Sequence, residues 1–307
     1  MEKILEIRNL YKSLSGRPII NNVSFDVYAG EVFGFIGPNG AGKTTTIKMV
    51  MGFLEEDSGQ IIINGVDHKK DYEKAMSFVG GIVENPEMYD YLSGRKNIEM
   101  YASLHGNVTR ERIDQVIRLV GMSEWANEKI KRYSLGMKQR IGLAQALVHK
   151  PKLLILDEPT NGLDPQGIME LRYILKRIAH EEGTAVVVSS HQLGEMEQLC
   201  DRVGIISYGR MLCVRTMEEL RLMCGGDKYI VKALDLPKAA EVLMTLGKGH
   251  MIFACDENRM ILGCTEQEIP SIVKELALAD VSVTGLTKIS ASLEEAYLRI
   301  LRGGVPA

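Results

Sequence analysis

Nine consecutive residues, Gly37-Pro38-Asn39-Gly40-Ala41-Gly42-Lys43-Thr44-Thr45, carry the spacing G-x-x-x-x-G-K-[ST]. Glycines at those positions let the backbone curl until successive N–H groups point at one oxyanion. Residues 31–36 before the loop read as a strand. After it, Ile47, Val50, Met51 and Leu54 fall at i, i+3, i+4 and i+7, the apolar face of a helix. The positive end of that helix faces whatever anion the loop holds. The spacing predicts a phosphate cradle made by Asn39, Gly40, Ala41, Gly42, Lys43, Thr44 and Thr45. Within it Lys43 sets a cation beside the β- and γ-phosphates of ATP, and the Thr44 hydroxyl is placed to ligate Mg²⁺. A plain glycine turn can show the same letters; the strand before and the helix after are the context that favours a nucleotide.

A second group with chemical potential follows the apolar run Leu153-Leu154-Ile155-Leu156, which ends in Asp157-Glu158-Pro159-Thr160. A buried strand would deliver both carboxylates to the C-terminal edge of a sheet, where α/β proteins bind ligands. Asp157 is then a candidate Mg²⁺ ligand, directly or through water. Glu158 is a candidate catalytic base for water in line with the γ-phosphoryl bond. Alone, a strand ending in Asp-Glu is more often a solvated turn; the phosphate loop upstream gives this one a role.

The elements needed to hold these groups are legible in outline. Residues 4–7 and 19–28 alternate apolar and polar, as half-buried strands do. Residues 152–156 and 185–189 are almost wholly apolar, as expected for strands of a sheet covered on both faces. Residues 86–150 contain no convincing strand, and Ile113, Val116, Ile117 and Val120 mark a helical face, so a helical insertion is predicted there. Cys224-Gly225-Gly226-Asp227 reads as a linker. Beyond it, strands at 228–234, 250–255, 259–264 and 281–289 alternate with two helical faces in the order βαββαβ, a ferredoxin-like arrangement. A closing helix carries Leu293, Ala296, Tyr297 and Ile300 on one face, with Ser292 and Glu295 as a capping box. The expected fold is α/β: a P-loop NTPase domain over 1–224 with a helical subdomain at about 86–150, then a small α+β ferredoxin-like domain over 227–307.

Composition narrows the function classes. The chain has 307 residues with a formal net charge of −3, so no overall basic field points to nucleic acid as a partner. Its five cysteines form no C-x-x-C pair and no zinc spacing, and read as free thiols in a reducing cytoplasm. The start, Met-Glu-Lys-Ile-Leu-Glu-Ile, does not read as a signal peptide. No apolar run approaches the ~20 residues that cross a bilayer, so a membrane role is expected to be peripheral, through a partner.

Tyr133-Ser134-Leu135-Gly136-Met137-Lys138-Gln139-Arg140, just before the acidic strand, resembles the ATP-binding cassette (ABC) signature L-S-G-G-Q followed by R/K-Q-R. Ser134, Gly136, Gln139 and Arg140 match; Leu135, Met137 and Tyr133 depart. A helix N-terminus bearing a serine is an anion site. The resemblance implies that Ser134 and Gly136 reach the γ-phosphate held by a second subunit, two ATPs being sandwiched in a head-to-tail dimer. Asn161-Gly162-Leu163-Asp164-Pro165 resembles the family's D-loop, and His191, after Ser189-Ser190, its switch histidine. The resemblance spans residues 1 to about 220. It implies an ATP-hydrolysing subunit bound to the inner face of the cell membrane through a separate permease chain. A homodimer is expected, since each copy keeps both Glu158 and His191.

Two departures carry consequences. Glu84 stands where the family usually has glutamine; it can accept from metal-bound water but adds a negative charge near Mg²⁺ and lacks the amide donor. Glutamate there, with Ser-Leu-Gly-Met, resembles exporters that confer resistance to bacitracin and lantibiotic peptides. Leu14 stands where an aromatic usually stacks on adenine, with Tyr11 three residues away. A soluble cassette protein acting on ribosomes, DNA or iron–sulfur assembly is the rival reading; ribosome-acting members usually carry two cassettes and DNA-repair members long coiled coils, and neither occurs here. A purely regulatory nucleotide sensor is disfavoured by Glu158. For the C-terminal domain, a packing or dimer-strengthening role is expected over small-molecule binding.

Overall fold

The alternating pattern at the start of the chain folds as a long hairpin. In the computed structural model, which describes residues 2–106, 108–223, 228–289 and 293–301, β1 (Lys3–Leu14) pairs antiparallel with β2 (Arg17–Tyr28). The apolar run that follows is β3 (Val32–Ile36), buried along its whole length, and it hands the chain to α1 (Lys43–Val50). Next come β4 (Ser58–Ile63), β5 (Val66–Asp67), α2 (Tyr72–Ser77) and β6 (Val79–Ile82). The stretch 86–150 forms α3 (Gly94–Ser103), α4 (Arg110–Leu119), a 3-10 turn (Ile130–Arg132) and α5 (Leu135–Leu147), with no strand among its described residues. The chain then alternates through β7 (Leu153–Asp157), α6 (Pro165–His180), β8 (Ala185–Ser190), α7 (Leu193–Leu199), β9 (Arg202–Ser207) and β10 (Arg210–Thr216).

Two sheets result. One has the order β2-β1-β4-β5, and the other β10-β9-β3-β8-β7-β6. The pairs β9–β3, β3–β8, β8–β7 and β7–β6 are parallel, which requires crossovers and leaves both faces covered. One apolar cluster runs through the antiparallel sheet, α1 and the central strands. It includes Phe25 stacked on Phe33 at 5.1 Å between ring centroids. Register matters most for function. Ile36 lies opposite Ser190 and Asp157 opposite Ser189, so the C-terminal ends of β3, β8 and β7 stand level and adjacent. In the helical stretch, the buried guanidinium of Arg112 donates to the carbonyls of Leu147 (2.7 Å) and Val148 (3.2 Å). These are C-terminal carbonyls of α5 that the helix cannot bond itself, so α4 secures α5.

The chain divides into two compact units, Met1–Arg215 and Thr216–Ala307. The sequence places this boundary later, at 224–227, which lies outside the described residues, as does the capping residue Ser292. The division falls earlier because α8 (Met217–Met223) belongs with the second unit. It packs on α11 (Leu293–Leu301), whose Arg299 donates to the Met223 carbonyl at 2.9 Å. Between these helices in sequence run β11 (Lys228–Ala233), α9 (Leu236–Thr245), β12 (Ile252–Cys255), β13 (Met260–Gly263), α10 (Ile269–Leu278) and β14 (Val283–Ile289). Their sheet order, β12-β13-β11-β14, is antiparallel throughout, as a ferredoxin-like βαββαβ unit demands. Leu236, Ala239 and Leu243 of α9 and Ile272 and Leu276 of α10 close its core against the sheet.

Candidate functional site

Residues 37–45 leave β3 as a tight loop. A Cβ at Gly37 would stand 2.3 Å from the carbonyl oxygen of Ile206, so only glycine fits between β3 and β9. Gly42 caps α1 at φ 108, a conformation that side chains rarely adopt. Lys43 opens the helix and is buried; its ammonium donates to the carbonyls of Gly37 (2.8 Å) and Pro38 (3.4 Å) and lies 3.5 Å from Glu158 Oε1. The Ala41 amide is committed to the Pro38 carbonyl at 3.1 Å.

Glu158 sits one residue past β7 in left-handed conformation, φ 49. Its backbone N–H is held by the Ser189 carbonyl (3.2 Å) and the Ser189 hydroxyl (3.0 Å). That hydroxyl also donates to Asp157 Oδ1 at 2.5 Å, so one fully buried serine on β8 fixes both acidic residues of the neighbouring strand. His191 Nδ1 lies 2.9 Å from Glu158 Oε2. Nδ1 is thus the ring nitrogen engaged by the carboxylate. Glu158 is thereby held between an ammonium on one side and an imidazole on the other.

These groups face a common cavity of about 470 Å³. Asn39, Gly40, Gly42, Lys43, Thr44 and Thr45 line it from the loop and α1, and Glu158, Asn161 and His191 line it from the ends of β7 and β8. Leu14 and Ile19, on the hairpin, supply an apolar wall. Of the residues expected here, Asp157 and Ala41 are buried and, like Glu84, are not among the lining residues. The Glu84 carboxylate instead accepts from Lys48 Nζ at 2.8 Å, and that ammonium holds its carboxyl below the usual carboxylate range. Among the described residues no three His, Cys, Asp or Glu side chains gather into a metal cage.

Leu14 gives the cavity wall a branched alkyl group, which offers a base apolar contact without π-stacking. Comparable turnover of ATP and GTP is therefore expected in a purified-protein assay with both nucleotides. A strict preference for ATP would count against Leu14 as the base contact.

Ser134 and Gly136 lie in a second cleft of about 500 Å³, bounded also by Leu135, Gly162, Leu163 and Asp164. Ser134 caps α5, accepting from the Met137 N–H at 3.3 Å, and Asp164 caps α6, accepting from the Gly167 N–H at 2.9 Å. Gly162 takes φ 76 with Leu135 against it. Arg140 pairs with Glu170, tying α5 to α6. Tyr133, which departs from the signature, is buried and donates to the Trp125 carbonyl at 2.6 Å, a packing role. Ser189 and Ile19 are the functional-site residues that pattern reading does not single out. A polar residue ending an otherwise apolar buried strand is the one signal for Ser189.

A family model described as ABC transporter matches residues 20–161. An uncharacterized ABC transporter ATP-binding protein of Bacillus subtilis, YhcH, is 42% identical over 300 residues, covering 98% of this chain and 96% of its own length. The chain belongs to the ABC transporter family of ATP-binding proteins. The bacitracin transport ATP-binding protein BcrA of Bacillus licheniformis is 35% identical over 305 residues, covering 99% of each chain. A solved structure of an ATP-binding subunit of an ABC transporter superposes with a TM-score of 0.65 at 29% identity, over 72% of this chain and 93% of that one. As an ABC protein, the chain binds and hydrolyses ATP.

Proposed function

We propose that this subunit powers an exporter of peptide antibiotics or related drugs, driving a separate membrane permease from the cytoplasmic face. Its likeness to BcrA runs through both units, so the second unit is shared with a bacitracin transport protein. Among the described residues no helix is long and apolar enough to cross a membrane, which fits a division of labour with another chain. A groove of about 370 Å³ between Met51–Phe53, residues 81–87 and α5 is assigned to the permease, on the family resemblance.

The observation that carries the chemistry is Glu158, held 3.5 Å from Lys43 and 2.9 Å from His191 at the mouth of the phosphate loop. Glu158 takes the proton of the attacking water, and His191 orients that carboxylate. Lys43 releases the loop carbonyls and turns to the β- and γ-phosphates. The Thr44 hydroxyl and the Asp157 carboxylate form an oxygen donor set of the kind Mg²⁺ selects, and the ion when bound neutralises phosphate charge. Glu84, drawn to Lys48, is assigned no resting contact with the metal. Ser134 and Gly136 receive the γ-phosphate of a second copy in a head-to-tail homodimer. The first unit, Met1–Arg215, makes the ATPase domain, with the helical subdomain at about 86–150, and the C-terminal unit serves as an accessory that strengthens the dimer.

The export reading is tested by expressing the chain with its permease in a host sensitive to bacitracin. A rise in the inhibitory concentration that vanishes in the Glu158→Gln variant is expected. No rise, in cells whose complex hydrolyses ATP, would remove the peptide-antibiotic assignment.

A further inference from the structure

The groove on the ATPase unit has two walls from different parts of the chain. Met51 and Phe53 come from the turn after α1, and Val83, Asn85 and Pro86 from the segment after β6. They are fitted closely. A Cβ at Gly81 would stand 3.0 Å from Met51 Cε, and one at Gly142 of α5 would stand 2.5 Å from Pro86 Cβ. The turn after α1 is closed by the Lys48 carbonyl, which accepts from the N–H groups of Phe53 (2.8 Å) and Leu54 (3.2 Å). The backbone of Lys48 thus sets the position of Phe53 in the first wall, while its side chain reaches Glu84 in the second, Nζ to Oε1 at 2.8 Å. Among the described residues neither side chain has another hydrogen bond or ion pair. Glu84 takes φ 66, a left-handed conformation that persists in non-glycine residues only where surroundings hold it.

Lys48 and Lys43 lie on the same short helix, five residues apart. Lys43 lines the phosphate cavity at the start of α1, and Lys48 lies in its last turn, just before the residues that form the first groove wall. We propose that Lys48 is a positioning residue that parks Glu84 on α1. The ion pair clamps the two groove walls together, and its release lets the groove and the phosphate loop sense each other. The inference rests on the reading of the groove and cavity given above. It explains how a glutamate is accommodated at this position: its extra charge is neutralised by a cation on the phosphate-loop helix itself.

Hydrogen exchange of the full chain, read by mass spectrometry over residues 82–88, tests the clamp. Lys48→Glu and Glu84→Lys should each speed exchange there about threefold, the worth of an exposed ion pair. The double variant Lys48→Glu/Glu84→Lys should return it to the wild-type rate, because the ion pair is re-formed with its charges exchanged. Binding of ATP to Glu158→Gln should speed the same segment to the rate of Lys48→Glu. Unchanged exchange in the single variants, additive changes in the double variant, or no response to ATP would overturn the proposal. ATP binding measured on the same samples keeps the two questions apart. A wild-type chain that failed to bind ATP would sink the functional reading, whereas one that binds ATP with exchange indifferent to Lys48→Glu would sink only the clamp.

Discussion

Glu158→Gln is expected to lower ATP turnover by about 10²- to 10⁴-fold, the usual range for losing a positioned general base. Glutamine keeps the shape, and its amide oxygen can still accept from His191, so the local geometry survives. What disappears is the group able to take a proton from water, along with the negative charge 3.5 Å from the Lys43 ammonium. With that competitor gone, Lys43 is freer to meet phosphate, so ATP affinity should hold or rise. Phosphate release checks the first half. Size-exclusion chromatography with light scattering checks the second: the variant should be a stable dimer with ATP while the wild type is not. A variant that turns over ATP at the wild-type rate would move the base to another residue. If neither protein dimerises while both bind ATP, the homodimer requires the permease or a different second cassette.

Lys43→Ala should instead weaken ATP binding. The side chain is 6% exposed and is the ammonium nearest the loop carbonyls it bonds. A hydrogen bond to a charged group is worth about 1.5–3 kcal/mol. At roughly 1.4 kcal/mol per decade, ATP affinity should fall about 10- to 100-fold. Turnover at saturating ATP should fall further, because an ammonium between the β- and γ-phosphates stabilises the charge that shifts to the leaving oxygen as the bond breaks. Titration calorimetry on the purified protein measures the first effect, and an unchanged dissociation constant would exclude Lys43 from phosphate contact. The two variants together separate binding from chemistry: one retains ATP and cannot cleave it, the other loses hold of it.

The parts of the fold that pattern made legible are those whose burial is uniform. Strands β3, β7 and β8 are buried on both faces, so their apolar runs stand out without knowledge of neighbours. The helices of 86–150 show through their 3.6 period, and the βαββαβ order of the second unit through the alternation of two periods. Strand β4 is harder, because it opens Ser58-Gly59-Gln60, and Gly59 sits where a Cβ would come within 2.5 Å of the Asn9 carbonyl oxygen. That close approach is a property of the partner strand, not of the local letters. The site divides in the same way. The phosphate loop, Asp157 and Glu158 announce themselves by spacing, but the role of Ser189 depends on which strand lies beside it. Glu84 shows the limit most clearly. Ile82, the last residue of β6, lies opposite Leu156 of β7, and Glu84 follows two residues beyond that pair, yet its side chain goes to Lys48. A one-dimensional motif gives the position along the strand and not the cation waiting on the adjoining helix.

Asn161 lines the phosphate cavity, and Gly162, the next residue, lines the cleft of Ser134 and Gly136. On the head-to-tail reading, those two openings serve different ATP molecules. A single peptide linkage would then be a shared wall between one subunit's own fuel and its partner's. A shift of that linkage at one opening would then be felt at the other.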